Sequence, residues 1–408
     1  MSPVFPFDIL YRIIDIVEEN KDTNLLKELS LVSHSFHQIC SKHLFATVEI
    51  YDGPNNHVTF SKKGFVKILK SRPDVVMCIR NLTYKKCPHR ALPWPFFSSV
   101  EDDQLVLLPI LLNILRTISH LNCLKITATH FFDWNSLDSS LTSALLHLMH
   151  LPTLNHIDVL HIINFPLSSL FSSVKLHRLD IAQTRDDGLE EEGSPESVVQ
   201  SEMMPNIRHT SESSLSPNAE MQDGRNFMDL RRLSLPVFRS KDERNIRYLL
   251  QNAKLLEKLD LSVGIGRSLV GLLSLSAGTL KVLDLSVPLD PFGSVRLPLG
   301  GFCEELEAMA GHNVLEALYC EVRVIHGLSG AKDLIGSTMR NIEKVLVKPG
   351  WSALRQVSFE VSLRENNFLG SDPSLLFEFW EELRSLPGEY LSHLPNLDSV
   401  AFNYSAYL

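Results

Sequence analysis

The sequence predicts an α/β chain in two parts: three short helices over residues 1–45, then from 46 to 408 an irregular solenoid of helix–strand units whose strands stack into a parallel sheet. Three observations predict this. The opening stretch FPFDILYRIIDIV spaces its aliphatic residues for a helix. A short pattern of leucine, two residues, an aliphatic, one residue and an aliphatic returns irregularly from Leu121 to the end, and most copies follow an amphipathic helical stretch. A unit of one helix and one strand is too small to cover its own apolar face, so such units must stack on one another.

In the first helix Ile9, Leu10, Ile13, Ile14 and Val17 share one side of a 3.6-residue spiral, while Asp8, Arg12, Asp15 and Glu18 take the other. Thr23 or Asn24 is expected to cap a second helix carrying Leu25, Leu26 and Leu29, and Ser33 a third carrying Phe36, Ile39, Cys40 and Leu44. Three helices of this size bury little surface, and no disulfide or metal framework is expected to staple them. Their apolar groups must therefore dock either on the first helix–strand units, capping the open end of the array, or on another protein.

The strand pattern reads LNCLKI from Leu121, LNHIDV from Leu154, LHRLDI from Leu176, LRRLSL from Leu230, LEKLDL from Leu256, LKVLDL from Leu280, LEALYC from Leu315, LRQVSF from Leu354 and LDSVAF from Leu397. Weaker copies, FATVEI from Phe45 and IRNLTY from Ile79, extend it upstream. Because side chains alternate along a strand, the residue between the last two aliphatics faces away from the core. In order these are Lys125, Asp158, Asp180, Ser234, Asp260, Asp284, Tyr319, Ser358 and Ala401. Stacked in register about 4.8 Å apart, Asp158, Asp180, Asp260 and Asp284 form an acidic strip with Tyr319 beside it. Such a strip either receives a basic segment of a partner or remains ordinary solvated surface.

Between Thr184 and Asn226 the pattern stops. Asp186, Asp187, Glu190, Glu191, Glu192, Glu196, Glu202, Glu212, Glu220 and Asp223 there face only Arg185, Arg208 and Arg225, in a setting rich in serine and proline and poor in aromatics. Such a composition cannot offset its own ordering entropy, so a disordered acidic insertion is expected over 184–226. Its steps Ser194-Pro195 and Ser216-Pro217 would suit a proline-directed kinase.

Composition excludes several classes. A net charge of −9 with no basic stripe argues against a nucleic-acid partner. The richest apolar run, Leu105 to Leu115, is interrupted by Pro109 and Asn113 and is far shorter than the roughly 20 residues of a membrane span, so no membrane partner is expected. The start has no basic patch leading into an apolar run with small residues after it, so it does not read as a secretory signal. The 6 cysteines stand apart with no C-x-x-C pair and are expected as reduced packing residues. No cofactor, metal or enzyme chemistry emerges. His34 with His37, and His147 with His150, lack a third ligand at zinc spacing; GIGRSL and GLSGAKD fall short of the dinucleotide and phosphate loops; no G-x-S-x-G elbow is present.

Two of these patterns resemble known families. L-x-x-L-x-L is the strand half of a leucine-rich repeat, and LEKLDLS and LKVLDLS are close to that repeat's usual wording, so the chain from about residue 75 resembles a degenerate leucine-rich-repeat horseshoe. The front resembles an F-box: Pro6 at the first helix start, Asp8, Ile9, Leu10, Ile13 and Ile14, then LSLVSHSF from Leu29 to Phe36, then Leu44-Phe45 leading into a strand. The resemblance implies an intracellular substrate receptor of an SCF-type ubiquitin ligase, in cytoplasm or nucleus. Its helices would dock on the S-phase-kinase-associated adaptor, which in turn holds a cullin and a RING subunit, while the repeats present a protein substrate. Pro6, Ile9, Leu10, Ile13, Leu29, Val32 and Phe36 match positions that serve either docking or the box's own core. The alternative is a repeat scaffold with no link to ubiquitination.

Overall fold

The recurring leucines line one face of a parallel sheet of 11 strands that lie side by side in strict sequence order. The computed structural model describes residues 7–20, 22–52, 62–87, 101–172, 175–182, 227–237, 240–264, 267–289, 301–324, 330–363, 373–396 and 399–407. The strands are β1 (Thr47–Asp52), β2 (Asn81–Lys86), β3 (Cys123–Asp133), β4 (His156–Ile163), β5 (Arg178–Ala182), β6 (Arg232–Val237), β7 (Lys258–Val263), β8 (Val282–Leu289), β9 (Ala317–Val324), β10 (Gln356–Leu363) and β11 (Ala401–Tyr407). The acidic insertion expected over 184–226 lies outside the described residues, apart from its neighbours in β5 and before β6.

Register follows the sequence pattern. Leu82, Leu124, Ile157, Leu179, Leu233, Leu259, Leu283, Leu318 and Val357 pair strand to strand and form one inward row. Two residues on, Leu235, Leu261, Leu285, Cys320 and Phe359 form a second. Both rows are buried, and each fully covered leucine contributes about 1.5–3 kcal/mol. The last strand corrects the expected register: Ala401 pairs with Gln356, and Asn403, not Ala401, stands beside Ser358. Phe402 and Tyr404 thus take the inward positions of Val357 and Phe359, which follows from the larger apolar area that those two rings offer the core.

The crossovers carry the helices. α1 (Phe7–Glu19), α2 (Thr23–Ser30) and α3 (His34–Leu44) precede the sheet; α4 (Lys62–Ser71), α5 (Glu101–Thr117), α6 (Ser139–Met149), α7 (Ser240–Asn252), α8 (Phe302–Met309), α9 (Ala331–Leu346) and α10 (Pro373–Tyr390) lie between strands. Several crossovers end in short 3₁₀ turns, and in two of them, at Leu273–Ser276 and Leu394–Asn396, a buried carboxylate from a neighbouring helix caps the turn. Glu305 of α8 accepts N–H groups from Gly271, Leu273 (2.7 Å) and Ser274 (3.0 Å). Glu343 of α9 accepts those of Ser392 (2.9 Å), His393 (2.7 Å) and Leu394 (2.9 Å). A helix of α8's position must also begin tightly: Gly301 sits at φ +80°, where a Cβ would run into the Val270 side chain.

The first three helices have a core of their own, Leu10, Ile14, Val17, Leu26, Ile39 and Cys40, separate from the one beneath the sheet. Ser33 caps α3 as expected, accepting the Phe36 N–H at 3.3 Å. At α2 the cap is Asp22 rather than Thr23 or Asn24: its carboxylate accepts the Leu25 N–H at 2.9 Å, which starts the helix one residue earlier. The unit joins the sheet where α3 runs through Phe45 into β1, with Phe45 packed on the main core and His37 Nε2 2.6 Å from Arg72 Nη1.

Candidate functional site: an apolar helical belt and a charged strand face

α1 has more apolar surface than its own unit can cover. At 100° per residue Leu10, Ile14 and Val17 form one stripe, and Ile9, Ile13 and Ile16 form a second beside it. The first stripe is inside, with Leu10 5% and Ile14 0% exposed. The second faces outward, with Ile9 46%, Ile13 37% and Ile16 47% exposed. Leu25 on α2 and the pair Leu31 and Val32, 84% and 65% exposed in the turn before α3, add to the outward apolar surface of the same small unit.

These positions divide the residues singled out in the sequence. Ile9, Ile13 and Val32 are on the outside, free of the three-helix core. Leu10 is corrected from a docking candidate to a core residue, since its side chain is sealed among Ile14, Val17 and the helices behind. Leu29 and Phe36 are half-buried and pack against that core from its edge. Pro6 lies outside the described residues. Ile16 and Leu31 were missed; a helical wheel drawn through Ile16 would have found the first.

The outward row of the sheet reads Glu49, Thr83, Lys125, Asp158, Asp180, Ser234, Asp260, Asp284, Tyr319, Ser358 and Asn403, all in register. Asp158, Asp180, Asp260, Asp284 and Tyr319 are thus brought into one line, but not into one uniform acidic strip. Lys125 Nζ sits 2.8 Å from Asp158. Asp180 accepts from Arg178 Nε and from His156 Nε2 at 3.3 Å; burial raises its pKa, but these two cations outweigh it and hold the carboxyl below its usual value.

Further along, the acids are not matched. Burial first, then the charge of Asp284, pushes Asp260 up to about 6. Burial also raises Asp284, with Glu321 adding to it and Lys258 opposing, and Glu360 is raised by burial, Glu321 and Asp284. The acidic region therefore runs from Asp260 and Asp284 diagonally to Glu321 and Glu360 on β9 and β10. It is shorter than the expected strip and shifted toward the end of the sheet.

One row nearer the strand starts stand Cys123, His156, Arg178, Arg232 and Lys258, again neighbours in register. His156 Nδ1 lies 3.3 Å from Cys123 Sγ. Arg178, Asp180, Arg232, Leu233, Ser234, Lys258 and Asp260 line a cavity of about 180 Å³. The sequence pattern held the signal for this row two residues before each outward position, where it went unread.

Among the described residues one group could hold a metal ion, Asp15, Glu18 and His43. Its two acids are exposed, and the Glu18 carboxylate already contacts His43 Nδ1, so its evident role is to tie α1 to α3. No described helix is long and apolar enough to cross a membrane. No protein-family model matches the chain, and no curated protein matches it either.

Proposed function

We propose that the chain is an F-box protein with degenerate leucine-rich repeats, acting as the substrate-receptor subunit of an SCF-type ubiquitin ligase. Its three-helix unit docks on the S-phase-kinase-associated adaptor, through which a cullin and a RING subunit are held. Its strand face presents a protein substrate. The chain contributes no catalytic residue to ubiquitin transfer, which belongs to those partners.

One observation carries the reading: the second apolar stripe of α1, Ile9, Ile13 and Ile16, lies outside the unit's own core together with Leu31 and Val32. Exposed apolar patches on a folded unit mark places where another polypeptide lands. The sequential parallel sheet supports the repeat part of the reading, since stacked leucine units of this kind expose their outward strand row along a long surface.

The test is co-precipitation of the full chain with purified adaptor. Ile9→Asp with Ile13→Asp should abolish capture while leaving the thermal midpoint within a few degrees of wild type, because both side chains are partly exposed and lie outside the unit's core. Leu10→Ala should do the opposite: it removes a core side chain and costs about 2–5 kcal/mol of the unit's stability. Full capture by the Ile9/Ile13 double variant would remove the docking assignment and leave the second reading, a repeat scaffold outside the ubiquitin system.

A further inference from the structure

Cys123, His156 and Asp180 stand on three consecutive strands, β3, β4 and β5, and their side chains meet in a line. The sulfur is 3.3 Å from His156 Nδ1, and His156 Nε2 is 3.3 Å from Asp180 Oδ2. Both ring nitrogens are engaged, so the imidazole is fixed in orientation between a sulfur and a carboxylate. Nucleophile, base and orienting acid in that order are the arrangement of an activated cysteine. Cys123 is half-buried and open to the outward face. Among the described cysteines no other has an imidazole within hydrogen-bond distance of its sulfur.

A second observation concerns what surrounds this line. Arg178, Arg232 and Lys258 continue the same row on β5, β6 and β7 and line the 180 Å³ cavity. Arg178 is held by Asp180. Among the described residues neither the Arg232 nor the Lys258 side chain donates a hydrogen bond, although the Lys258 charge reaches Asp260 and Asp284. Reactive cysteines occur where the thiol is partly exposed and cations are near, and this row supplies both. Asp180 and Asp260 also border the cavity; the first is matched by His156 and Arg178, and the second, raised to about 6, still carries most of its charge at neutral pH and offsets one of the three cations.

We propose that Cys123 is a nucleophilic thiol which His156 and Asp180 hold ready for exchange with small anionic disulfides of the glutathione-disulfide class, drawn in by Arg178, Arg232 and Lys258. The hydrogen bond to Asp180, then that to Cys123, raises His156 to about 9, so at neutral pH the ring carries both protons and points one at the sulfur. As the sulfur attacks, its proton leaves to water, and the imidazolium N–H pointed at it stabilises the negative charge that develops there. The sulfur attacks one sulfur of the disulfide; that S–S bond breaks as the Cys123 mixed disulfide forms. The expelled thiolate takes up a proton from the imidazolium or from water, and no further oxidant is consumed. The adduct plants a charged tripeptide on the outward strand face, so its formation would block whatever binds there. This site does not depend on the ubiquitin-ligase reading.

The experiment exposes the full native chain to glutathione disulfide, quenches with acid and reads each cysteine by peptide mass spectrometry. Cys123 should be modified first, at least about tenfold faster than Cys78 or Cys303, whose thiols burial pushes up, Cys303 to about 11. This comparison within one folded chain needs no variant. His156→Asn should slow Cys123 about tenfold with both glutathione disulfide and the neutral reagent iodoacetamide. Arg232→Ser with Lys258→Ser should slow the anionic reagent and leave the neutral one unchanged. Equal labelling of Cys123 and the other half-buried cysteines, or an unchanged rate in His156→Asn, overturns the nucleophile; equal loss for both reagents in the cation variant overturns the choice of an anionic partner.

Discussion

Ile9 and Leu10 are neighbours of nearly equal hydropathy, and the structure sends one to water and the other to the core. The sequence reading grouped them because both fall within the 160° or so that the two stripes span; only the positions of α2 and α3 decide which part of that arc is covered. The same limit governs the strand face. That Asp158 and Asp180 lie outward was legible from alternation, but their neutralisation was not, because Lys125 and His156 reach them from adjacent strands far apart in sequence. Where burial outweighs the nearby cation, as it does Lys258 at Asp260, titration becomes visible. The Asp260 carboxyl binds its proton more tightly folded than unfolded, so its contribution to stability is present below about pH 4 and is lost as pH rises through about 6. His156, also raised, loses its contribution as pH climbs from the unfolded value toward about 9. Thermal midpoints measured from pH 4 to pH 10 should therefore fall in two steps. Asp260→Asn should flatten the acid step and raise the midpoint at pH 7, and His156→Gln should flatten the alkaline one.

At the level of elements, the strands were the most readable part of the chain, since a leucine pattern with period two leaves little choice of face. β11 slipped because FATVEI-like wording at LDSVAF offers two acceptable registers, and burial of the Phe402 and Tyr404 rings selects the later one. The carboxylate caps could not be read at all. Glu305 and Glu343 sit on helical faces that otherwise look amphipathic, and each is buried because a 3₁₀ turn from the adjoining crossover brings its N–H groups to the carboxylate. Removing either acid strands several backbone donors in a dry place. Glu343→Ala should cost about 2–4 kcal/mol, read by chemical denaturation, whereas Glu343→Gln, which keeps one acceptor oxygen at the same reach, should cost less than half as much. Equal losses for the two variants would mean that packing, and not the hydrogen bonds, holds Glu343 in place.

On the scale of the whole molecule, two cores share one chain. They meet through Phe45 and the contact between His37 and Arg72, and beyond that junction every strand's backbone pairs only with the strands before and after it. Stability in such an array is a sum of nearest-neighbour terms, so its joints can be compared. β9 and β10 pair over eight residues, whereas β5 and β6 pair over three, Arg178, Leu179 and Asp180 with Arg232, Leu233 and Ser234. Amide hydrogen exchange should show the lowest protection of any internal strand at that joint, with β7 to β10 the highest. A stack of coins is as strong as its loosest pair. A pull applied between the front helices and β7 to β10 would pass through three rungs at β5 and β6, and the sheet would open there before either half unravels.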